Sequence, residues 1–192
     1  AFILSEIVDA SNGSEDGALY FRTQSGGSLD NRLSISSSTV TVNGNLSVDG
    51  GTIKLDGNYP TGSSNVALGN FALDDGSLSG GNNTAIGSHS LTANTSGAGN
   101  TGLGSSSLYA NTTASSNTGL GYLSLSANTT GAENTAVGKS SMAVNTTGNY
   151  NVALGVNALD ANTTANNNTA LGFKALTNTT TAGANTAIGS GA

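Results

Sequence analysis

The sequence predicts an all-β chain in which a small region of β-hairpins precedes a parallel β-solenoid, or β-roll, built from 17-residue rungs. Three observations lead to this fold class. The pattern N-[TV]-[AG]-[LIV]-G occurs eight times, and from its second occurrence onward it is evenly spaced, once in every unit. Each unit holds a fixed Gly and most hold an Asn-Thr-Thr or Asn-Thr-Ser run, and these residues are poor in helix interiors. The residues before the repeat alternate apolar and polar side chains over short stretches.

The repeat divides the chain into two predicted domains. Residues 1–64 are expected to form an N-terminal β-rich region, and residues 65–192 the solenoid, with Pro60 near the boundary. The units begin at Asn65, Asn83, Asn100, Asn117, Asn134, Asn151, Asn168 and Asn185, so that only the first is one residue longer. Because the last unit stops at its eighth residue, we expect the natural chain to continue, and the missing initiator Met suggests that it also starts earlier.

Each unit, numbered from its Asn as position 1, is expected to form one rung. Positions 2 and 4 share one face of a short strand, because side chains alternate along a strand. Leu120 at position 4 and Leu125 at position 9 are the two large side chains expected to be buried in a typical unit. Position 5 is expected to need a positive φ or a close backbone approach, since only Gly occurs there. These structural glycines are Gly69, Gly87, Gly104, Gly121, Gly138, Gly155, Gly172 and Gly189.

Short strands are also expected before the repeat. The candidates are residues 18–24, 32–36, 39–43 and 52–55, and Gly26-Gly27 and Asn43-Gly44-Asn45 supply the turns.

The thin core predicts association between chains. Two large aliphatic side chains per rung bury too little surface to offset the ordering of the whole unit, so rungs must stack. Even then the core holds many Ala, Gly and Ser residues, and we expect an intertwined homotrimer. Seven steps at a strand spacing of about 4.8 Å predict a stalk of roughly 34 Å.

Composition disfavours several functions. The five basic residues are scattered at Arg22, Arg32, Lys54, Lys139 and Lys174, against 11 acidic ones, so no basic patch is expected to bind nucleic acid. No apolar stretch approaches the roughly 18 residues that a membrane span requires, so no membrane insertion is expected. The chain has no Cys, which excludes disulfides and thiol catalysis.

Residues that could carry chemistry have simpler interpretations. His89 is the single histidine and is expected to be a surface side chain. Asp74-Asp75 are adjacent turn residues whose side chains should point apart, unlike a glycosidase pair. Asp49-Gly50-Gly51 and Asp56-Gly57-Asn58 lack the ligand spacing of known calcium loops. No enzyme activity, cofactor or metal is therefore expected.

The Asn-Thr-Thr and Asn-Thr-Ser runs also match the N-glycosylation pattern, but their periodicity indicates turns. They begin at Asn94, Asn111, Asn128, Asn145, Asn162 and Asn178. If their Thr side chains lay flat and outward they could order water, which leaves an ice-binding solenoid as an alternative.

Receptor contacts are expected at large side chains that the repeat does not dictate. Exposed aromatic rings could stack on the sugar rings of a surface glycan, or cover seams between chains. These candidates are Phe71, Tyr109, Tyr122, Lys139, Tyr150 and Phe173.

The repeats resemble those of known fibrous proteins. The runs NTALGFKALTNTT at residues 168–180 and NTAVGKSSMAVNTTG at residues 134–148 resemble the repeated head modules of bacteriophage tail fibres. They are also similar to the N-S-V-A-I-G repeats of YadA-type trimeric autotransporter adhesin heads, whose unit is shorter. The stretch EDGALYFRT at residues 15–23, with VNGNL at residues 42–46, is similar to the section before such repeats in phage fibres.

This resemblance implies a trimeric, left-handed parallel β-roll with a structural function. We expect a tail-fibre segment of a virion that acts as a rigid spacer and as a host-attachment module. Its partners would be copies of itself, other fibre or tail proteins, and a glycan or protein of the host surface. The main alternative is the head of a trimeric autotransporter adhesin on a bacterial surface.

Overall fold

A computed structural model of the chain describes residues 19–25, 28–35, 40–42 and 64–192. The chain divides into two compact units, Ala1–Lys54 and Leu55–Ala192. Several predicted features lie outside the described residues: the strand at 52–55, both N-terminal turns, Pro60, and the two Asp-Gly loops at 49–51 and 56–58.

The first unit contains a three-stranded antiparallel sheet. Strands β1 (Leu19–Ser25), β2 (Ser28–Ile35) and β3 (Val40–Val42) pair in that order, so β2 is central. Leu33 of β2 pairs with Phe21 on one side and Val42 on the other. The strands predicted at 18–24 and 39–43 agree with β1 and β3, whereas β2 begins earlier than the predicted start at residue 32.

The second unit is a parallel β-solenoid, as the repeat predicted. Every rung contributes one three-residue strand to a single eight-stranded sheet, in sequence order. The strands are β4 (Val66–Leu68), β5 (Thr84–Ile86), β6 (Thr101–Leu103), β7 (Thr118–Leu120), β8 (Thr135–Val137), β9 (Val152–Leu154), β10 (Thr169–Leu171) and β11 (Thr186–Ile188). Neighbouring strands pair in register, so that Thr101 lies beside Thr118. Equivalent positions of successive units therefore form columns along the solenoid.

Backbone hydrogen bonds between rungs continue beyond the strands. The N–H of Ser106 at position 7 donates to the carbonyl of Ser88 in the preceding rung at 2.9 Å. The N–H of Leu125 at position 9 donates to Ser141 of the following rung at 3.0 Å. The turns of neighbouring rungs are thus tied together as well as their strands. Among the described residues, no helix has the length and hydropathy that crossing a membrane requires.

The chain closes each rung through left-handed backbone at four positions. The position-5 glycines have φ between +127° and +144°, which agrees with the expectation for this column. Positions 7, 9 and 17 carry mostly non-glycine residues with φ between +49° and +61°, such as Leu123, Leu125 and Glu133. Left-handed backbone at each such residue reduces the stability of the fold by about 1–2 kcal/mol. The residue types at positions 7, 9 and 17 give no sign in the sequence that the backbone turns there.

The core contradicts one sequence-based expectation. Leu125 at position 9 is fully buried as predicted, but Leu120 at position 4 is 38% exposed. Positions 2 and 4 do share a face of the strand, but it is the outer face. Position 3 points inward and is Ala or Gly, as at Ala136 and Gly119. The interior is closely packed at this position, because a Cβ added at Gly119 would lie 2.5 Å from the Ser107 hydroxyl oxygen, and no residue larger than Ala occurs there in any rung.

Two columns of buried asparagines fill the remainder of the interior. The first column is position 1, where each side-chain Oδ1 accepts the backbone N–H of the next rung's Asn at 2.8–3.0 Å. The second is position 12, where each side-chain Nδ2 donates to the Oδ1 of the preceding rung's Asn at 2.7–3.0 Å. Within a rung both columns meet at one carbonyl: Gly131 O accepts from Asn117 at 2.9 Å and from Asn128 at 2.8 Å. These bonds close the rung across its interior.

The position-12 column ends differently at each end of the solenoid. In the first rung the fully buried Leu78 lies where later rungs have Asn. The next residue, Ser79, donates its backbone N–H to the Thr95 carbonyl, in the same way that Thr95 donates its N–H to the Thr112 carbonyl of the following rung. In the seventh rung Asn178 is one residue early and exposed, so Thr179 takes position 12. Asn162 of the sixth rung is left with its buried Oδ1 unpaired.

Candidate functional site

The residue types that could carry chemistry take part in local hydrogen bonds instead. His89 is half-buried at position 7, and its Nδ1 lies 2.8 Å from the Ser88 hydroxyl oxygen. Asp75 closes the turn of the first rung, because the hydroxyl and the N–H of Ser77 both donate to its Oδ1. The Ser77 hydroxyl, and then its backbone N–H, lower the pKa of the Asp75 carboxyl. Among residues 64–192, no three His, Asp or Glu side chains are grouped as metal ligands.

The Asn-Thr-Thr runs make the return turn that their periodicity indicated. Asn94, Asn111, Asn128, Asn145 and Asn162 are fully buried, so their amides are not accessible for glycosylation. Thr at position 13 donates its hydroxyl to the next rung, as Thr129 does to the Thr146 carbonyl at 3.0 Å. Thr at position 14 is exposed, as at Thr130. Ice binding would therefore depend on one exposed column of this segment.

The six predicted receptor-contact residues are all exposed but do not form one site. Tyr122, Lys139 and Phe173 lie at position 6, directly after the position-5 turn. Phe71 at position 7 and Tyr109 at position 10 lie beyond that turn, and Tyr150 is at position 17. The structure thus distributes the candidates over several columns.

The most extensive candidate surface is the outer face of the eight-stranded sheet, which we call the outer sheet face and define by positions 2 and 4. Position 2 is Thr or Val throughout, and position 4 is Leu, Ile or Val. Its exposed large side chains are Leu68, Leu103, Leu120, Val152, Leu154, Leu171 and Ile188, at 38–69% exposure. The face carries no charged residue in any rung. A strip of aliphatic side chains that is exposed or half-buried in every rung is typical of an interaction surface.

A second candidate is a groove on the segment that follows the position-5 turn, between the third and fourth rungs. It has a volume of about 440 Å³ and is lined by Ser106, Tyr109, Ala110, Leu123, Ser126 and Ala127. Tyr109 and Leu123 are its two bulky walls. At position 7 the third rung has Ser106 and the fourth has Leu123, and at position 10 the third rung has Tyr109 and the fourth has Ser126. The groove therefore forms where a small residue in one rung stacks beside a large residue in the other.

An aromatic row adjoins this groove. The rings of Phe71 and His89 have centroids 5.0 Å apart, and those of His89 and Tyr109 are 6.2 Å apart. The row spans three rungs and ends at the wall of the groove. The sequence predicts Phe71 and Tyr109 as receptor contacts, but His89 only as a surface side chain. The sequence feature that could have grouped the three rings is their location at positions 7 and 10, which follow the same position-5 turn.

Sequence reasoning also missed the outer sheet face. Strand alternation places position 4 in the predicted core, so the sequence does not predict its aliphatic column as a surface. The available signal for this surface was the uniformly small residue at position 3. A strand with a large residue at position 4 and only Ala or Gly at position 3 can bury either of its two faces, so the position-4 face could also lie outside.

Comparison of the chain with family models, curated proteins and solved structures found no match. Fold and surface therefore define this protein only as a β-solenoid repeat protein with an apolar outer sheet face.

Proposed function

We propose that this chain is a segment of a virus tail fibre, in which three copies form a stiff spacer that also attaches to the host surface. The observation that carries this proposal is the apolar column on the outer sheet face, which runs through all eight rungs. The stacked columns, the parallel strands and the nearly constant length of the rungs in this chain all favour a fibrous, non-enzymatic protein.

The occupant of the outer sheet face is a second and a third copy of this chain. A partner must present apolar groups at the same spacing as the rungs, about 4.8 Å, over the length of the sheet. A copy running in the same direction meets that condition at every rung. Chains arranged about a common long axis, as in a threefold assembly, also keep all the apolar columns away from water.

The interior asparagine columns stabilise a single chain, and this bears on whether chains must associate. They supply buried hydrogen bonds that stabilise the stacking of rungs within one chain, so a thin aliphatic core is no longer a sufficient reason for a trimer. Support for the trimer instead comes from the exposed Leu and Ile side chains at position 4.

Rigidity follows from the bonding between rungs. Strands, turns and buried asparagines are hydrogen-bonded to the next rung, so bending would stretch several bonds at once. Such a segment suits a spacer that holds a binding surface away from the particle.

The assembly is tested by the native mass of the full chain in solution. Sedimentation equilibrium should give three times the chain mass of 18.7 kDa. A stable monomer at micromolar concentration would contradict the trimer.

The biological setting is tested by immunogold electron microscopy of the source culture with antibodies against the chain. Labelling along the fibres of virus particles is expected. Labelling of the bacterial surface in particle-free cultures would instead support the autotransporter adhesin and overturn the virion assignment.

A further inference from the structure

We propose that the groove between the third and fourth rungs binds a sugar ring of a neutral glycan. This inference rests on the proposed host-attachment function and names the chemistry of the attachment site. Its residues are Ser106, Tyr109, Ala110, Leu123, Ser126 and Ala127.

The shape and lining of the groove match a sugar ring. Its volume of about 440 Å³ is within the range of small-molecule sites. Tyr109 is 46% exposed and forms one wall, and Leu123 forms the other. A sugar ring has an apolar face of C–H groups, which packs well against the electron-rich face of an aromatic ring. Ala110 and Ala127 contribute only methyl groups and leave the groove open.

Hydroxyl groups in the lining can orient such a ligand. Ser126 donates its hydroxyl to the Ala143 carbonyl at 3.1 Å, so its oxygen can still accept a hydrogen bond. The hydroxyls of Ser106 and Tyr109 can donate or accept. Few polar groups within an apolar lining are typical of sites that select one ligand orientation.

The charge around the groove indicates a neutral ligand. Rungs two to four, residues 83–133, contain a single charged side chain, Glu133, and no Lys or Arg. Glu133 does not line the groove. A phosphate or an acidic sugar would find no cation in the groove lining to compensate its charge, since Lys139 of the fifth rung is not one of the lining residues, whereas a neutral hexose needs none. The aromatic row of Phe71, His89 and Tyr109 continues from the groove and would contact further sugar rings of a chain.

Ser106→Leu tests the groove without requiring a change in backbone φ. Leu123 already occupies position 7 with φ of +58°, and Ser106 has φ of +55°, so the fold accepts Leu there. The added side chain fills the groove. Ser140→Leu is the matched control, since Ser140 is also at position 7, with φ of +54°, and does not line the groove.

The experiment is a saturation-transfer NMR titration of the full chain with neutral methyl glycosides of glucose, galactose, mannose, rhamnose and N-acetylglucosamine. We expect at least one glycoside to bind, with saturation concentrated on one ring face. Ser106→Leu and Tyr109→Ala should each weaken binding at least tenfold, and Ser140→Leu should leave it within twofold. No binding by the unaltered chain, or equal binding by Ser106→Leu, would overturn the proposal.

Native mass measured on the same samples separates the two proposals. A trimer that binds no glycoside refutes the sugar site alone. A monomer that binds a glycoside through Tyr109 refutes the trimer alone.

Discussion

At the scale of single residues, buried asparagine has the function that aliphatic side chains have in most cores. Asn128 donates to Asn111 at 3.0 Å and to the Gly131 carbonyl at 2.8 Å, and accepts from Asn145 at 2.9 Å. A carboxamide suits this column because it donates and accepts at once, so identical residues can bond to each other in every rung. Ser or Thr in the same column has a shorter reach and one donor.

Asn128→Ala should therefore destabilise the solenoid by about 2–4 kcal/mol, because three buried hydrogen bonds are lost. That loss is comparable to the roughly 2–5 kcal/mol typical of a buried Leu→Ala change, such as Leu125→Ala. Chemical denaturation measures both. Thr130→Ala is the control: Thr130 is exposed, and its replacement should change stability by less than about 0.5 kcal/mol. An Asn128→Ala protein as stable as the control would contradict a structural function of the column.

The end of the same column offers a stabilising change. Thr179 occupies position 12 of the seventh rung, and its N–H donates to Leu176 as that of Asn162 donates to Leu159. Thr179→Asn would present an amide to the unpaired Oδ1 of Asn162. We expect a gain of about 1 kcal/mol, measured by thermal or chemical unfolding.

Thr180→Asn adds the same side chain one residue later, where it does not reach the column, and should leave stability within about 0.5 kcal/mol. If both variants behaved alike, the unpaired oxygen of Asn162 would not be the cause.

At the scale of the element, each rung depends on the turn that follows its strand. The position-5 glycines stack on one another along the solenoid. A Cβ added at Gly121 would lie 2.7 Å from both the carbonyl carbon and the oxygen of Gly138. The column thus requires Gly for two reasons, a φ of +133° and the close approach of the next rung.

Gly121→Ala should destabilise the protein by at least about 2 kcal/mol, because strain and a backbone clash add. Gly99 provides the comparison. It has φ of +67°, and an added Cβ would have the Ser116 hydroxyl oxygen as its nearest neighbour, at 3.9 Å. Gly99→Ala should cost only about 1–2 kcal/mol, the ordinary cost of left-handed backbone. Equal losses in the two variants, by denaturant titration, would show that φ alone matters.

At the scale of the whole molecule, the outer sheet face is an aliphatic surface of residues 64–192 that a single chain leaves accessible to solvent. Leu103 and Leu120 are adjacent in this column, each 38% exposed, and their side chains are not part of the buried interior. A charge on this face would be buried without a partner in the proposed trimer, at a high cost.

Leu103→Lys combined with Leu120→Lys should therefore reduce the native mass from three chains to one while the β-sheet circular dichroism is retained. Analytical ultracentrifugation measures the mass. Thr113→Lys with Thr130→Lys adds the same charge to exposed position-14 residues and should leave the trimer intact. A trimeric Leu103→Lys, Leu120→Lys protein would exclude the outer sheet face as the interface.

The candidate surfaces were predictable only in part. Exposed aromatic side chains such as Tyr109 could be identified, because the repeat does not dictate them. Their grouping could not, because which columns share a side of the rung depends on where the backbone turns. The left-handed residues at positions 7, 9 and 17 make those turns, and Leu, Ser or Glu at these sites does not mark them.

By itself, the sequence determined the parallel solenoid, its rung length, the turn at each position-5 glycine and the burial of position 9, because equal spacing forces equivalent residues into columns. Only the tertiary structure decided which face of each strand is the interior. Alternation separates position 3 from position 4 without saying which points inward. The narrow interior has room for Ala or Gly beside two asparagine columns, and so position 4, with its Leu side chains, lies outside.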